Sequence, residues 1–351
     1  MVDPSLLTRR RFIGNTAATL AAAGGAGALL AACGADSPSS THSAASKSGA
    51  KSLTVVNILP PQLGYAAEMI ADLDGHFERE GVGVNVETAR GSAPAIQSVL
   101  SNKALLSRVG MIETVGHVTN EGAPLVNVGV MTRVSPLAIV SSPDKPVNAP
   151  PDLSGKRIGI PSEGGTSETT LDILVSVGGL QKDDVPRQVT GFSPGTFELI
   201  RAGRIDGFVI GATQIAQMRA AVPEAVIMPT AKYVKDGECY ITSKDQLDAN
   251  KETIAAYLRA TRAAAKQIVA DKGFDKTLKT LRAKYDFDEL KDDKVAKPWL
   301  QFLVDAWTKD GEAEILKTDA QQWKDIYAES VKVGAAKAGE DPGASITASL
   351  V

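Results

Sequence analysis

From residue 52 to about residue 250 two hydrophobic rhythms take turns along the chain, one with a period of two residues and one recurring every third or fourth. Segment 52–59, SLTVVNIL, is a β-branched run stopped by Pro60 and Pro61, which predicts a strand and then a breaker. Over 65–77 the apolar residues Ala66, Met69, Ile70 and Leu73 share one face, the stripe of a helix. A second strand (82–89, VGVNVETA), a helix over 92–102 opened by Ser92 as its N-cap, and a third strand (125–131, LVNVGVM) follow. Further short strands are predicted at 155–161, 187–192 and 207–212, separated by helices over 166–178 and 196–202. The alternation indicates an α/β fold with sheets covered on both faces.

Past residue 250 the strand rhythm stops, and amphipathic helices are predicted at 250–273, 297–307 and 320–334, with Trp299, Trp307 and Trp323 as core anchors rather than ligand platforms. An internal echo links the two parts of the alternating region. Segments 98–112 (SVLSNKALLSRVGMI) and 198–212 (ELIRAGRIDGFVIGA) both read as a helix end, a polar turn and a buried strand, as if two lobes used one building unit.

The first 50 residues follow neither rhythm. Thr8-Arg9-Arg10-Arg11-Phe12-Ile13 resembles the twin-arginine export signal. The soft apolar run behind it, 16–30, falls short of the roughly 20 residues a membrane-crossing helix needs, so it reads as the hydrophobic region of a signal peptide. Leu30-Ala31-Ala32-Cys33 then resembles a bacterial lipobox, in which the cysteine sulfur receives a diacylglycerol. On this reading 1–32 is a signal peptide, Cys33 is the lipidated first residue of the mature protein, and the Ser-, Ala- and Gly-rich stretch 33–51 is a flexible tether spanning about 23 Å.

Composition narrows the function classes. The leader carries three arginines against Asp3, so its removal takes the formal charge from −3 to about −5, and no basic surplus supports nucleic-acid binding. With Cys33 lipidated, Cys239 has no partner for an intrachain disulfide and reads as a small buried packing residue. Three scattered histidines offer no metal-ligand spacing. Gly191-Phe192-Ser193-Pro194-Gly195 matches the G-x-S-x-G nucleophile elbow of hydrolases, but Pro194 has no N–H for the oxyanion hole, and every histidine precedes Ser193. The run from Gly159 to Thr166 is nearly a phosphate loop, with Gly165 where the essential lysine belongs. What survives is a strand, flexible glycines and a helix start, whose free N–H groups and Thr166 and Ser167 hydroxyls suit an anionic or polar group; the alternative is that either hydroxyl merely caps the helix.

Segments 75–86, 122–130, 152–180, 183–189 and 198–211 resemble, in order, the substrate-binding proteins of ABC importers for sulfonates, taurine, nitrate and thiamine pyrimidines, over about 53–257. The strongest piece is Leu153-Ser154-Gly155-Lys156-Arg157-Ile158-Gly159 followed by the glycine-rich helix start. The resemblance implies a periplasmic-binding-protein-like fold (type II), with two α/β lobes joined by two crossing strands and the ligand in the cleft. The crossings would fall near 132–140 and 228–241, giving a discontinuous lobe one (52–138 plus 232–351, with the C-terminal helices) and a lobe two (139–231). One departure stands out: lobe two has the family's Gly-x-x-Asp turn at Gly203–Asp206, whereas lobe one has no acid at that place in NKALLSRVG.

The resemblance also implies a function. The expectation is an extracytoplasmic, lipid-anchored monomer that captures a small polar or anionic organic solute, sulfonate- or taurine-like, and presents it to an ABC permease, without catalysis, cofactor or metal. Gly165, Thr166 and Ser167 would bind the anionic head, helped by Ser92. Ser135 and Gln62 would orient the remainder, Tyr65 and Phe192 would form apolar walls, and Glu113 and Glu163 would pair with an amine. Aromatics make up only 5% of the chain, which favours a sulfonate over a flat heterocycle that needs stacking partners. The alternatives are a pyrimidine- or flavin-type vitamin precursor as ligand, a sensor as partner, or an enzyme like the fungal thiamine-pyrimidine synthases, whose cysteine-rich motif this sequence lacks.

Overall fold

The computed structural model describes residues 51–351 apart from Arg90, Ser162, Gly164 and Phe192, and omits the side chains of Ala212, Thr213 and Ala216. The signal peptide, Cys33 and most of the tether expected before residue 51 therefore lie outside the described residues, as does Phe192. The first β-branched run forms β1 (Lys51–Asn57). The helical stripe at 65–77 is divided into α1 (Ala66–Leu73) and α2 (His76–Arg79), because Gly75 at φ 71° takes a left-handed turn that costs glycine little. β2 (Val82–Thr88) follows, then α3 (Ser92–Leu100), whose N-cap is Gly91 and not Ser92. β3 (Leu106–Gly110), α4 (Met111–Glu121) and β4 (Leu125–Thr132) complete the first run.

The chain then crosses to a second run made of β5 (Leu137–Ser141), β6 (Ile158–Ile160), α5 (Thr166–Val177), β7 (Arg187–Val189), α6 (Phe197–Arg201), β8 (Gly207–Gly211), α7 (Ala212–Ala221) and β9 (Val226–Pro229). It crosses back into β10 (Glu238–Ser243) and ends in α8 (Lys244–Ala270), α9 (Asp275–Arg282), α10 (Asp293–Trp307) and α11 (Ala320–Lys332). The backbone of α8 kinks at Asn250, where the sequence pattern changes from alternating to all-helical.

The described strands form two five-stranded sheets, ordered β2-β1-β3-β10-β4 and β7-β6-β8-β5-β9. In each, the first three strands run parallel and the fourth, which arrives from the other sheet, runs antiparallel. The two crossings, 133–136 and 230–237, lie inside the windows expected from sequence. Arg133 fixes the first one: its buried guanidinium donates to the carbonyls of Glu314 (3.0 Å) and Lys317 (2.7 Å) and pairs with Asp319 at 3.3 Å. The C-terminal segment bridges the β4 edge at Asn127, whose carbonyl accepts from Thr347 N–H at 3.1 Å.

The internal echo has a structural basis, since β3 and β8 are the third strand of their sheets. Asn102 and Gly203 occupy matching left-handed turns at φ 60° and 67°. Leu105 N–H donates to the Thr54 carbonyl at 2.9 Å just as Asp206 N–H donates to that of Arg157 at 2.8 Å. The acid missing from lobe one is thus replaced by Leu105, which is buried in the core while its backbone keeps the turn. Among the described residues no helix is long and apolar enough to cross a membrane.

Candidate functional site

The parallel strands β1, β3, β6 and β8 all point their carboxyl ends at one cavity of about 860 Å³, lined by Ile58 and Leu59 past β1, Gly110 ending β3, Pro161 past β6 and Gly211 ending β8. Open α/β sheets collect ligands at such ends because the following helices begin there with unsatisfied N–H groups. Here α3, α4, α5 and α7 all begin at the cavity wall, two from each sheet, with Ser92, Ile112, Thr166 and Gln214 in their first turns.

Of the residues expected from sequence, Gln62, Tyr65, Ser92, Glu113, Glu163, Gly165, Thr166 and Ser167 are brought together on this wall. Ser135 is not: it is buried at the first crossing, where its hydroxyl accepts from Thr230 Oγ1 at 2.8 Å, and it lines a smaller adjoining hollow of about 210 Å³. It ties the two crossing segments together instead of facing the cavity. Gly165 is the N-cap of α5 and among the described residues no side chain caps that helix, so capping does not account for the Thr166 and Ser167 hydroxyls. At Gly110 the end of β3 approaches the start of α5. A Cβ there would lie 3.3 Å from Thr166 Oγ1 and 3.6 Å from Glu113 Oε2.

The floor carries a buried charge network that the sequence reading does not contain. Arg108, on the buried strand β3, donates from Nη1 to Glu68 Oε1 at 2.7 Å and from Nη2 to the Gly64 carbonyl at 2.6 Å, and Nη2 lies 3.3 Å from Glu238 Oε2. Its guanidinium covers the Tyr65 ring at 4.5 Å, and Tyr240 donates its hydroxyl to the same Glu68 oxygen. Burial opposes the Arg108 charge, but Glu238 and Glu68 hold it, leaving its pKa well above the ordinary value. A charged residue in a buried strand was the one available signal, because such residues are almost never fully buried unpaired.

Asp236 is the second unforeseen group. It sits on the return crossing, 1% exposed, and accepts on Oδ1 from the α4 backbone N–H of Ile112 at 3.3 Å. Burial pushes its carboxyl up to about 7; the backbone N–H groups of Gly237 and Ile112 work against this, while Glu113 and Glu238 raise it further. The third is aromatic. Trp299 and Phe302, stacked at 5.0 Å on α10, line the cavity, so Trp299 is both a core residue and part of the wall, which corrects the expectation of a core anchor alone. Its Nε1 has no partner, whereas that of Trp323 donates to the Pro342 carbonyl at 2.9 Å. Cys239 is buried as expected, and burial raises its thiol out of the reactive range. No three His, Cys, Asp or Glu side chains among the described residues are grouped as metal ligands.

A family model described as NMT1/THI5 like matches residues 63–272. Among solved structures, the chain is similar to the alkanesulfonate-binding protein SsuA from Xanthomonas axonopodis pv. citri bound to MOPS, with 14% identity, 86% of this chain and 99% of that one covered, and a TM-score of 0.65. The periplasmic aliphatic sulphonate-binding protein SsuA from Escherichia coli gives 14%, 82%, 94% and 0.60 for the same quantities. The periplasmic nitrate-binding protein NrtA from Synechocystis PCC 6803 gives 13%, 84%, 84% and 0.59. No curated protein sequence matches the chain. The two-lobed periplasmic-binding-protein fold is therefore the architecture of this chain.

Proposed function

Because the chain belongs to the NMT1/THI5-like family, we propose that it is a solute-binding protein of an ABC importer, holding a small polar organic solute in the cavity between its two sheets. The observation that carries this reading is the convergence of four strand ends and four helix N-termini, half from each sheet, on one cavity at the crossings. Lobe one (52–138 plus 232–351) and lobe two (139–231) would close on the solute by population shift, favoured only by as much as its contacts to both lobes exceed those to one.

Thr166, Ser167 and Ser92 supply hydroxyls at helix starts, which suits an oxyanion of a sulfonate or taurine-like solute. Gln62 would orient the remainder, with Glu113 and Glu163 facing an amine. The Trp299–Phe302 stack beside Tyr65 gives the flat-ring alternative, a pyrimidine- or flavin-type solute, the aromatic wall that composition did not promise. The reading is of a binder and not of an enzyme, exported, monomeric, anchored through Cys33 and partnered by a membrane permease. A thermal-shift screen of the full chain against sulfonates, taurine, nitrate, pyrimidines and flavins tests it, since a ligand of the folded state raises the midpoint by mass action. A shift that Thr166→Ala removes supports the cleft; shifts from none of these classes count against a solute-binding role.

A further inference from the structure

The cavity wall is unusual in what it leaves unpaired. Asp236 Oδ2, Glu113 Oε2 and Gln214 Oε1 are all buried without a hydrogen-bond partner, and all three residues line the same cavity. Leaving a buried acceptor unsatisfied costs about 1–3 kcal/mol, and more for a charged one, so three such oxygens around one space point to something that fills it with donors. Capping of α4 explains Asp236 Oδ1 but not Oδ2.

Two of the three are related by the internal echo. Glu113 is the third residue past Gly110, which ends β3, and Gln214 is the third residue past Gly211, which ends β8. Each half of the molecule thus offers one acceptor from the first turn of the equivalent helix, α4 and α7, and Asp236 adds a third from the return crossing.

The charge balance of the wall points the same way. Among the described residues five carboxyl groups line it, those of Glu113, Glu121, Glu163, Asp236 and Glu238, with Glu121 paired to His117 and Glu238 to the one described guanidinium, Arg108, which Glu68 also engages. A solute that carries only negative charge would leave the Glu113, Asp236 and Gln214 oxygens without donors and would face the Glu113 carboxyl. Arg108 Nε and Trp299 Nε1 are unpaired donors, and with the four helix starts they can serve an acceptor end of the solute.

Resting on the solute-binding reading above, we infer that Asp236 and Glu113 form an anchor for a protonated nitrogen, completed by Gln214 from the other half, so that the cavity selects an amine or zwitterion over a simple anion. The anchor discriminates by leaving its own oxygens unpaired when a solute lacks the N–H donors, and that penalty is how a site rejects an isostere. The carboxylates would hold an organic cation, as no grouping of metal-ligand spacing is found among the described residues.

The test uses isothermal titration of the full chain with pairs differing only at the nitrogen: taurine and propane-1-sulfonate, β-alanine and butyrate, 4-aminobutyrate and valerate. The expected result is that at least one amine member binds and its carbon counterpart binds at least about tenfold more weakly. Asp236→Asn should erase that difference, and Glu113→Gln should reduce it. If propane-1-sulfonate or the alkyl carboxylates bind as well as the amines, and Asp236→Asn leaves or improves their affinity, the anchor is wrong while the solute-binding reading stands. If neither arm binds while the thermal-shift screen finds a solute of another class, the anchor fails and the solute-binding reading stands; if no class binds in either experiment, both fail.

Discussion

Asp236→Asn should make the ligand-free protein more stable, and more so as pH rises. The native carboxyl is raised from an ordinary 3.8 to about 7, mainly by burial, so ionising it in the folded state costs about 4 kcal/mol more than in the unfolded chain. A raised acid contributes stability that is complete below about pH 4 and lost as pH climbs through about 7. Asparagine keeps an oxygen for the Ile112 N–H, never ionises, and turns an N–H₂ toward the space of the unpaired Oδ2 beside Glu113 and Glu238. The groups that face Asp236 are Glu113 on α4, Glu238 and the Cys239 thiol on β10, with Arg108 of β3 bound to Glu238. All are common to both proteins, so the difference between variant and wild type isolates Asp236. Calorimetric melting of refolded, dialysed protein should show the variant level with wild type near pH 4 and higher at pH 8, by up to about 4 kcal/mol or on the order of 5–10 °C. A difference that does not change with pH, or a variant less stable at pH 8, would refute both the buried charge and the reason given for it. The expected pattern is the exchange of stability for function common at binding sites.

Four further outcomes are expected. Replacing Thr166 and Ser167 together by Ala should weaken solute binding at least about tenfold, the loss of one or two good hydrogen bonds; unchanged affinity by titration would remove them from the site. Arg108→Met should lower stability by about 3–5 kcal/mol in urea melts, because Glu68 is left buried with its charge uncompensated; a loss under 1 kcal/mol would mean that water reaches the network. Gly237→Ala places a Cβ 2.0 Å from the Thr132 carbonyl oxygen, a backbone clash that should cost at least about 3 kcal/mol at the return crossing, and a variant with an unchanged urea midpoint would contradict the close approach. Solute addition should change tryptophan fluorescence in the wild type but not in Trp299→Phe, since Trp307 and Trp323 do not line the cavity; an equal change in both proteins would place the ligand elsewhere.

The fold was legible where burial follows a regular period. β1 holds a β-branched run, β2 and β4 carry valine at every second position, and the long C-terminal helices carry clear apolar stripes, so both were readable from local pattern. Gly75 was harder, because a helix stripe carries across a single left-handed residue without showing the break. α4 also escaped, as Gly116 and polar His117 and Asn120 interrupt its stripe where it faces the cavity. At the site, residues in glycine-rich turns beside helix starts were found because turn chemistry is local. Arg108, Asp236 and Glu238 were missed because their meaning arises only when β10 returns between β3 and β4 and brings the crossing against α4. Trp299 was placed in the core because a helix stripe does not say which of its residues reaches the rim of a cavity built by another part of the chain.

The most direct test is a crystal structure of the full chain with the solute giving the largest thermal shift. The account predicts that solute in the cavity at the strand ends, touching elements of both sheets, with a nitrogen on Asp236 and Glu113 and an acceptor group at Thr166 or Ser167. A solute bound outside this cavity, or held by one sheet's elements alone, would contradict it.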